Sequence, residues 1–193
     1  MEPPAVPEER FAAGGWRETD RSVEQPFETP MVSVEAHTTV YEDAALRDRL
    51  REATGVDHEW RFFLASRLRL SPRTPTSRAL TRLVTDRARA GFRERLTDRG
   101  FRQLRRTADE RRDRNGTTAR VATYESLTQT APATLRTRAR LAVWPGDREY
   151  LLAGGGWPSG VRAADENARA VLERAVDPEA FERELDELVA ATG

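Results

Sequence analysis

Residues 135–158 constrain the fold more than any other stretch, because they predict two β-strands joined by a tight turn. Uncharged residues alternate with arginines at the start of 135–143, which is the period of a strand with one buried face. Pro145-Gly146-Asp147 supplies turn-forming residues. The return strand, 149–153, is apolar on both faces, as in a strand covered from both sides. Loops of two and three residues both fit, so the residue opposite Tyr150 stays open.

The rest of the chain predicts elements that extend or cover this hairpin. Periods of two predict strands, periods of three to four predict helices, and Asp43 is a good N-cap for a short helix. The further predicted strands are 31–41, 60–70, 101–112 and 117–127, and the predicted helices are 44–54, 75–99, 163–176 and a last one beginning at Asp177-Pro178.

The longest predicted helix has a cap, an apolar stripe and a stop that agree. Thr74 as N-cap with Pro75 at the first helical position is a favourable start. Leu83, Phe92 and Leu96 belong to the predicted buried stripe. Gly100 follows the helix, as is common after a helix C-terminus.

Asn115-Gly116 predicts a type I′ hairpin turn, because both central residues of that turn need positive φ. Pairing outward from the turn places Arg106 opposite Glu125. Together these elements predict an α+β fold, in which one long helix and shorter helices pack on a largely antiparallel sheet of about six or seven strands. We expect 1–14 to be a flexible N-terminal tail and 15–193 to be a single domain.

The charge of the chain falls into three blocks although the net charge is zero. Residues 1–60 carry 6 arginines and 14 acidic residues, 61–140 carry 21 and 7, and 141–193 carry 5 and 11. The blocks therefore have net charges of −8, +14 and −6. This layout allows a basic surface that binds anions, or neutralisation of the middle block by the acidic ends.

Composition and motifs argue against most catalytic chemistry. The chain has no cysteine, which excludes disulfides and thiolate sites. His37 fits a strand surface and His58 fits a loop, and the chain has no G-x-S-x-G nucleophile elbow. We therefore predict no catalytic residues. Gly154-Gly155-Gly156 precedes no helix and has no phosphate-loop lysine, so we expect it to end a strand where a neighbour packs closely. We predict no metal and no cofactor.

No apolar run is long enough to span a membrane, and the N-terminus does not have the pattern of a secretory signal. We therefore expect a cytoplasmic protein. All of the strongly basic residues are arginine, and this composition resembles that of halophiles.

Arginine rows are the main candidate site, for anions or nucleic acid. They are Arg136, Arg138 and Arg140 on one strand, and Arg67 and Arg69 on another. The acidic residues Glu182, Glu184, Asp186 and Glu187 of the last helix would neutralise them in the alternative reading. Trp144 and Trp157 are either core residues or the aromatic rim of a ligand cleft.

The order of elements from Trp60 to Val176 loosely resembles the Mog1/PsbP-like α/β/α sandwich. Gly100-Phe101, Gly116 to Ala119 with Tyr124, and Glu149 to Leu152 carry the resemblance. The chain also resembles uncharacterised domains of halophilic archaea. Such sandwich proteins mostly act as binding or accessory proteins without shared catalytic residues. The resemblance thus implies a non-enzymatic binding or accessory protein with an unknown protein partner; the alternative is an arginine-rich protein that binds nucleic acid or an anionic ligand.

Overall fold

The computed structural model describes residues 4–28, 33–72, 75–114, 116–131 and 133–193. Its strands are β1 (Trp16–Glu28), β2 (Ser33–Asp43), β3 (Phe62–Ser71), β4 (Phe101–Arg114), β5 (Thr117–Gln129), β6 (Ala133–Pro145) and β7 (Glu149–Ala164). Its helices are α1 (Glu8–Gly14), α2 (Ala44–Thr54), α3 (Arg78–Asp98), α4 (Glu166–Ala175) and α5 (Pro178–Ala191).

The strands form one seven-stranded antiparallel sheet in the order β1-β2-β3-β7-β6-β5-β4. This confirms the predicted α+β class and the antiparallel sheet. Two hydrophobic clusters cover its faces: α3 packs with one cluster, and α1, α2, α4 and α5 pack with the other. In the part of the chain that the structure describes, the sheet is therefore the middle of three layers.

The predicted hairpin is formed by β6 and β7, and β7 is the middle strand of the sheet. Three residues, 146–148, separate the end of β6 from the start of β7, and Pro145 is the residue opposite Tyr150. Arg148 takes a positive φ of 58° there, and the Gly146 N–H donates to the Glu149 carbonyl at 2.9 Å. The geometry of this turn sets the register between β6 and β7, which the sequence alone left open.

The three glycines do not end β7, which continues to Ala164. A Cβ on Gly154 would lie 2.2 Å from the Arg140 carbonyl oxygen, and a Cβ on Gly155 would lie 2.2 Å from that of Phe62. The expected close approach is present, but it occurs in the middle of a central strand. Glycine at these positions lets the neighbouring strands keep their pairing on both sides.

Helix α3 begins three residues later than predicted, with the Ser77 side chain accepting from the Leu80 N–H; the predicted cap Thr74 lies outside the described residues. Phe92 and Leu96 are buried as predicted, whereas Leu83 is 40% exposed. The prediction for Leu83 was wrong because the buried stripe runs through Val84 instead.

The β4–β5 hairpin has a two-residue loop, since Arg114 pairs with Thr117. Gly116 has a φ of 80°, as the predicted turn requires, while Asn115 lies outside the described residues. A register shift between Arg106 and Ala108 makes Arg105, not Arg106, the residue opposite Glu125.

The N-terminal residues differ from the predicted tail. Residues 8–14 form α1, and Phe11 is buried and stacks on Tyr41 with 4.2 Å between ring centroids. The Ala5 N–H also donates to the Gly193 carbonyl at 2.8 Å. One buried aromatic ring is enough to hold a short helix against the sheet, because it removes a large apolar area from water.

Candidate functional site

The three arginines of β6 do not form one exposed row. Arg136 is exposed, Arg138 is half-buried and Arg140 is buried. A register shift between Arg136 and Thr137 interrupts the alternation. Leu135 accordingly packs in the hydrophobic cluster of α1, α2, α4 and α5, whereas Leu141 packs on the other face, in the cluster of α3. The predicted single face from 135 to 143 is therefore wrong at its start.

Arg140 is held by two carboxylates of α5. Its Nη1 lies 2.5 Å from Asp186 Oδ1, and its Nη2 also donates to Glu182 Oε1. Burial opposes the charged form of Arg140, but the two carboxylates outweigh it, so the pKa of the guanidinium is raised. Glu182 and Asp186 are four residues apart and share one side of the helix, which lets both reach the same cation.

Further ion pairs join α5 to the sheet. Asp186 pairs with Arg112 at 3.2 Å, and Glu182 pairs with Arg138 at 3.5 Å. Glu184 accepts from Arg61 at 2.6 Å and from the Trp16 indole N–H at 2.9 Å. These contacts confirm the predicted approach of the acidic helix to the basic middle block. Glu187 differs, because it pairs with Arg10 of the first block at 2.8 Å.

Arg61 is the most buried cation in this arrangement, with a side chain that is 5% exposed. It binds the Asp43 carboxylate at 2.7 Å and stacks on Phe181 at 4.0 Å from the ring centroid. Asp43 also caps α2 by accepting from the Leu46 N–H at 2.9 Å. Burial raises the pKa of Asp43 despite these donors. The residues that hold α5 in place thus also cap α2.

The second predicted row is also neutralised. Arg67 and Arg69 lie 3.5 and 3.6 Å from the same carboxylate, Glu149. Arg67 additionally donates to the Gly193 carbonyl at 3.4 Å. Neither arginine presents a fully free cation to a phosphate backbone.

An open groove of about 990 Å³ lies where the α4–α5 connection meets one end of the sheet. Five arginines and four carboxylates line it: Arg105, Arg136, Arg138, Arg162, Arg174, Glu125, Glu173, Asp177 and Glu179. Within the described ranges Arg136 and Arg162 make no ion pair. We call the groove lined by these nine charged residues the arginine groove.

Sequence reasoning found Arg136 and Arg138 but missed the other arginines of the groove. Arg162 and Arg174 belong to the acidic last block, and their local sequence has no periodic basic pattern. The pairing of Arg136 with Gly160 brings the start of β6 beside the end of β7. Long-range pairing therefore assembles the groove from residues that the sequence keeps apart.

Trp144 and Trp157 are core residues, 4% and 2% exposed. Arg114 stacks on Trp144 at 4.0 Å, and Arg140 lies 5.8 Å from the ring centroid of Trp157. This burial supports the packing alternative for both indoles over the rim of a cleft.

The histidines are more buried than the sequence predicts. His37 is 7% exposed and lies 2.7 Å from the Glu35 carboxylate. His58 packs edge-on against Trp60 at 5.2 Å, and burial lowers its pKa.

No helix in the described parts of the chain is long and apolar enough to cross a membrane. A family model with the description "Domain of unknown function (DUF6517)" matches residues 3–193. No curated protein matches the chain.

Proposed function

Because this chain belongs to the DUF6517 family of domains of unknown function, we propose its function from the site: it is a non-enzymatic binding protein. Its arginine groove would hold a short acidic segment of a partner protein. The observation that carries this proposal is that Arg136 and Arg162 line the groove without ion pairs, whereas α5 neutralises Arg138 and Arg140.

The chemistry of these arginines suits carboxylates. A guanidinium presents its N–H groups in a planar fork that binds a carboxylate through two parallel bonds. Arg105 adds another accessible cation, because its side chain is 75% exposed and its pair with Glu125 is at the surface. Surface pairs of this kind contribute only about 0–1 kcal/mol, so a ligand can replace them.

The carboxylates of the groove favour a peptide over nucleic acid. Glu173, Asp177 and Glu179 line the same groove as the free arginines. The regular phosphates of a nucleic acid would meet these negative charges, and binding would be weak at physiological salt. A peptide can place one or two carboxylates on the arginines and keep its other side chains uncharged.

The proposal is tested by fluorescence anisotropy with a labelled peptide that carries two adjacent glutamates among uncharged residues. We expect the double variant Arg136→Ala with Arg162→Ala to weaken binding at least about tenfold, the loss of roughly 1.4 kcal/mol. Glu179→Gln should strengthen it. Arg17→Ala is the matched control, because Arg17 is an exposed arginine on the opposite edge strand; it should leave binding unchanged.

A single-stranded DNA probe separates the alternative function. If DNA binds the full chain more tightly than the peptide and Arg136, Arg138 and Arg140 to alanine abolishes that binding, nucleic-acid binding replaces the proposal. The absence of binding to both probes would refute a ligand role for the groove.

The neutralising role of α5 is tested by changing its charges and not by deleting the helix, because its apolar residues belong to the core. We expect the full chain to bind nucleic acid weakly at about 0.15 M salt and a chain with less acidic charge on α5 to bind more tightly. Deleting 178–193 would remove Phe181, Leu185 and Leu188 from the core. Substitution of the exposed Glu179 and Glu187 by glutamine changes the charge without removing this packing.

The cysteine-free composition and the use of arginine in place of lysine support a cytoplasmic, halophile-like setting for this binding protein. The layering of helices on both faces of the sheet is compatible with the Mog1/PsbP-like resemblance. In that setting high salt would weaken ionic contacts, and it would weaken a nucleic acid that depends on many phosphate contacts more than a peptide that uses one or two carboxylates.

A further inference from the structure

A second cavity, of about 630 Å³, lies between α3 and the sheet, on the face away from α5. Its walls are mostly apolar and include Leu64, Leu68 and Leu152 of the sheet and Phe92 of α3. Ligand sites for small molecules commonly measure about 300–1,000 Å³ and have apolar walls with a few placed polar groups. This cavity, the α3 cavity, shares no lining residue with the arginine groove.

Two of the polar residues that line the α3 cavity carry buried hydroxyls. Thr38 and Ser66 are 5% and 3% exposed, and the Thr38 hydroxyl donates to Ser66 Oγ at 2.9 Å. Ser66 therefore keeps its own hydrogen to donate, and no acceptor for it is found among the described residues. A buried hydroxyl hydrogen without an acceptor is unfavourable, so a ligand acceptor at this point would be favourable.

Charged residues border the α3 cavity, and two of its arginines have acidic partners. Arg95 binds Glu24 at 2.6 Å, which joins α3 to β1. Arg99 binds Glu59 at 3.2 Å and stacks on Phe62 at 4.7 Å. These pairs leave the cavity itself without a free cation for an anionic group.

Gly91 of α3 borders this space. It lines the α3 cavity in the interior of the helix, and a Cβ at this position would meet nothing within 4 Å. A larger side chain at this position therefore has room to extend, so it can be used to test the cavity.

We propose that the α3 cavity binds a neutral, largely apolar small molecule that carries a carbonyl oxygen. The carbonyl accepts the Ser66 hydroxyl, and the apolar part lies against the leucines of β3 and β7 beneath Gly91. This site is independent of the arginine groove and of its proposed peptide ligand.

The probe for this proposal is Prodan, a neutral naphthalene ketone whose emission moves to shorter wavelength in an apolar site. We expect saturable binding to the full chain with a blue shift. Gly91→Leu fills the cavity and should weaken binding at least about tenfold, a change of roughly 1.4 kcal/mol. Gly91→Ala is the matched control: it gains the same helix propensity with one methyl group, and its affinity should stay within about twofold.

Ser66→Ala tests the hydrogen bond separately and should weaken Prodan binding about fivefold, as expected for one hydrogen bond of about 1 kcal/mol. Circular dichroism confirms that each variant folds. Failure of Prodan to bind, or binding that Gly91→Leu does not change, would overturn the proposal. Prodan binding that Arg136→Ala abolishes would equally overturn it, because the ligand would then lie in the groove.

Discussion

The ion pairs beneath α5 predict that removing the arginine and removing the two carboxylates lower the free energy of unfolding by different amounts. Arg140 is 7% exposed, whereas Glu182 and Asp186 are 34% and 39% exposed. In Arg140→Met the carboxylates keep water and the partners Arg138 and Arg112. In the double variant Glu182→Ala with Asp186→Ala, the buried cation keeps no carboxylate partner, and what remains is a hydrogen bond of 3.4 Å to the Thr123 hydroxyl and the Trp157 ring at 5.8 Å.

The magnitudes follow from this difference in burial. Arg140→Met exchanges a charged side chain for an apolar one beside Trp157, and the carboxylates that it leaves are exposed enough to avoid the full cost of a buried charge without a partner. We expect it to lower the free energy of unfolding by about 1 kcal/mol. Leaving a buried charge without its partner costs about 3–5 kcal/mol. We expect about 3 kcal/mol for the double variant, since water enters where the carboxylates stood.

Urea unfolding followed by circular dichroism measures both losses on the same protein. Arg105→Met is the control, because Arg105 and Glu125 form an exposed pair, 75% and 40% exposed, and should contribute less than about 1 kcal/mol. Alanine has a higher helix propensity than the two acidic residues it replaces in the double variant, so a loss in the free energy of unfolding cannot come from helix propensity. The reasoning fails if Arg140→Met is as costly as the double variant.

Three further results are expected. Phe92→Ala should lower the free energy of unfolding by about 3–5 kcal/mol and Leu83→Ala by about 1 kcal/mol or less, since Phe92 is 3% and Leu83 40% exposed; equal losses in denaturant titrations would contradict this burial. Gly116→Val should lower the melting temperature, because a β-branched residue is strained at a φ of 80°, and an unchanged temperature would count against the turn. Burial lowers the pKa of His58 below 6.5, so the unfolded chain binds the proton first as pH falls below that value and stability is lost. The loss between about pH 7.5 and about pH 5.5 should be smaller in His58→Gln, and a loss of equal size would assign it to other groups.

Local patterns predicted much of the secondary structure, because they depend on neighbours in the chain. Asp43 and Gly55 bound α2 as Ala44–Thr54, the residues predicted from its cap and stripe. Gly116 formed its turn for the same reason, since positive φ is a property of the residue itself. Where a second strand affects the geometry, prediction from one segment failed, as at Arg106, which a register shift moved away from Glu125.

The candidate site was only half predictable. The charge blocks indicated that the acidic helix approaches the arginines, because opposite charges on one chain of zero net charge attract in any compact fold. They did not show which arginines remain free. Arg136 stays exposed and Arg140 is buried although they are four residues apart on one strand, and nothing in their local sequence distinguishes them.

The sequence by itself determined most of the strands and helices and the sign of the charge in each part of the chain, since these depend on residue type and spacing. Tertiary structure decided which charges are paired, which indoles are buried and where space remains. Gly160 and Arg136 are neighbours only because β6 and β7 pair, and a cavity lies beside Gly91 only because α3 crosses the leucines of the sheet. Burial is a property of both surfaces that meet, so a single segment of sequence cannot specify it.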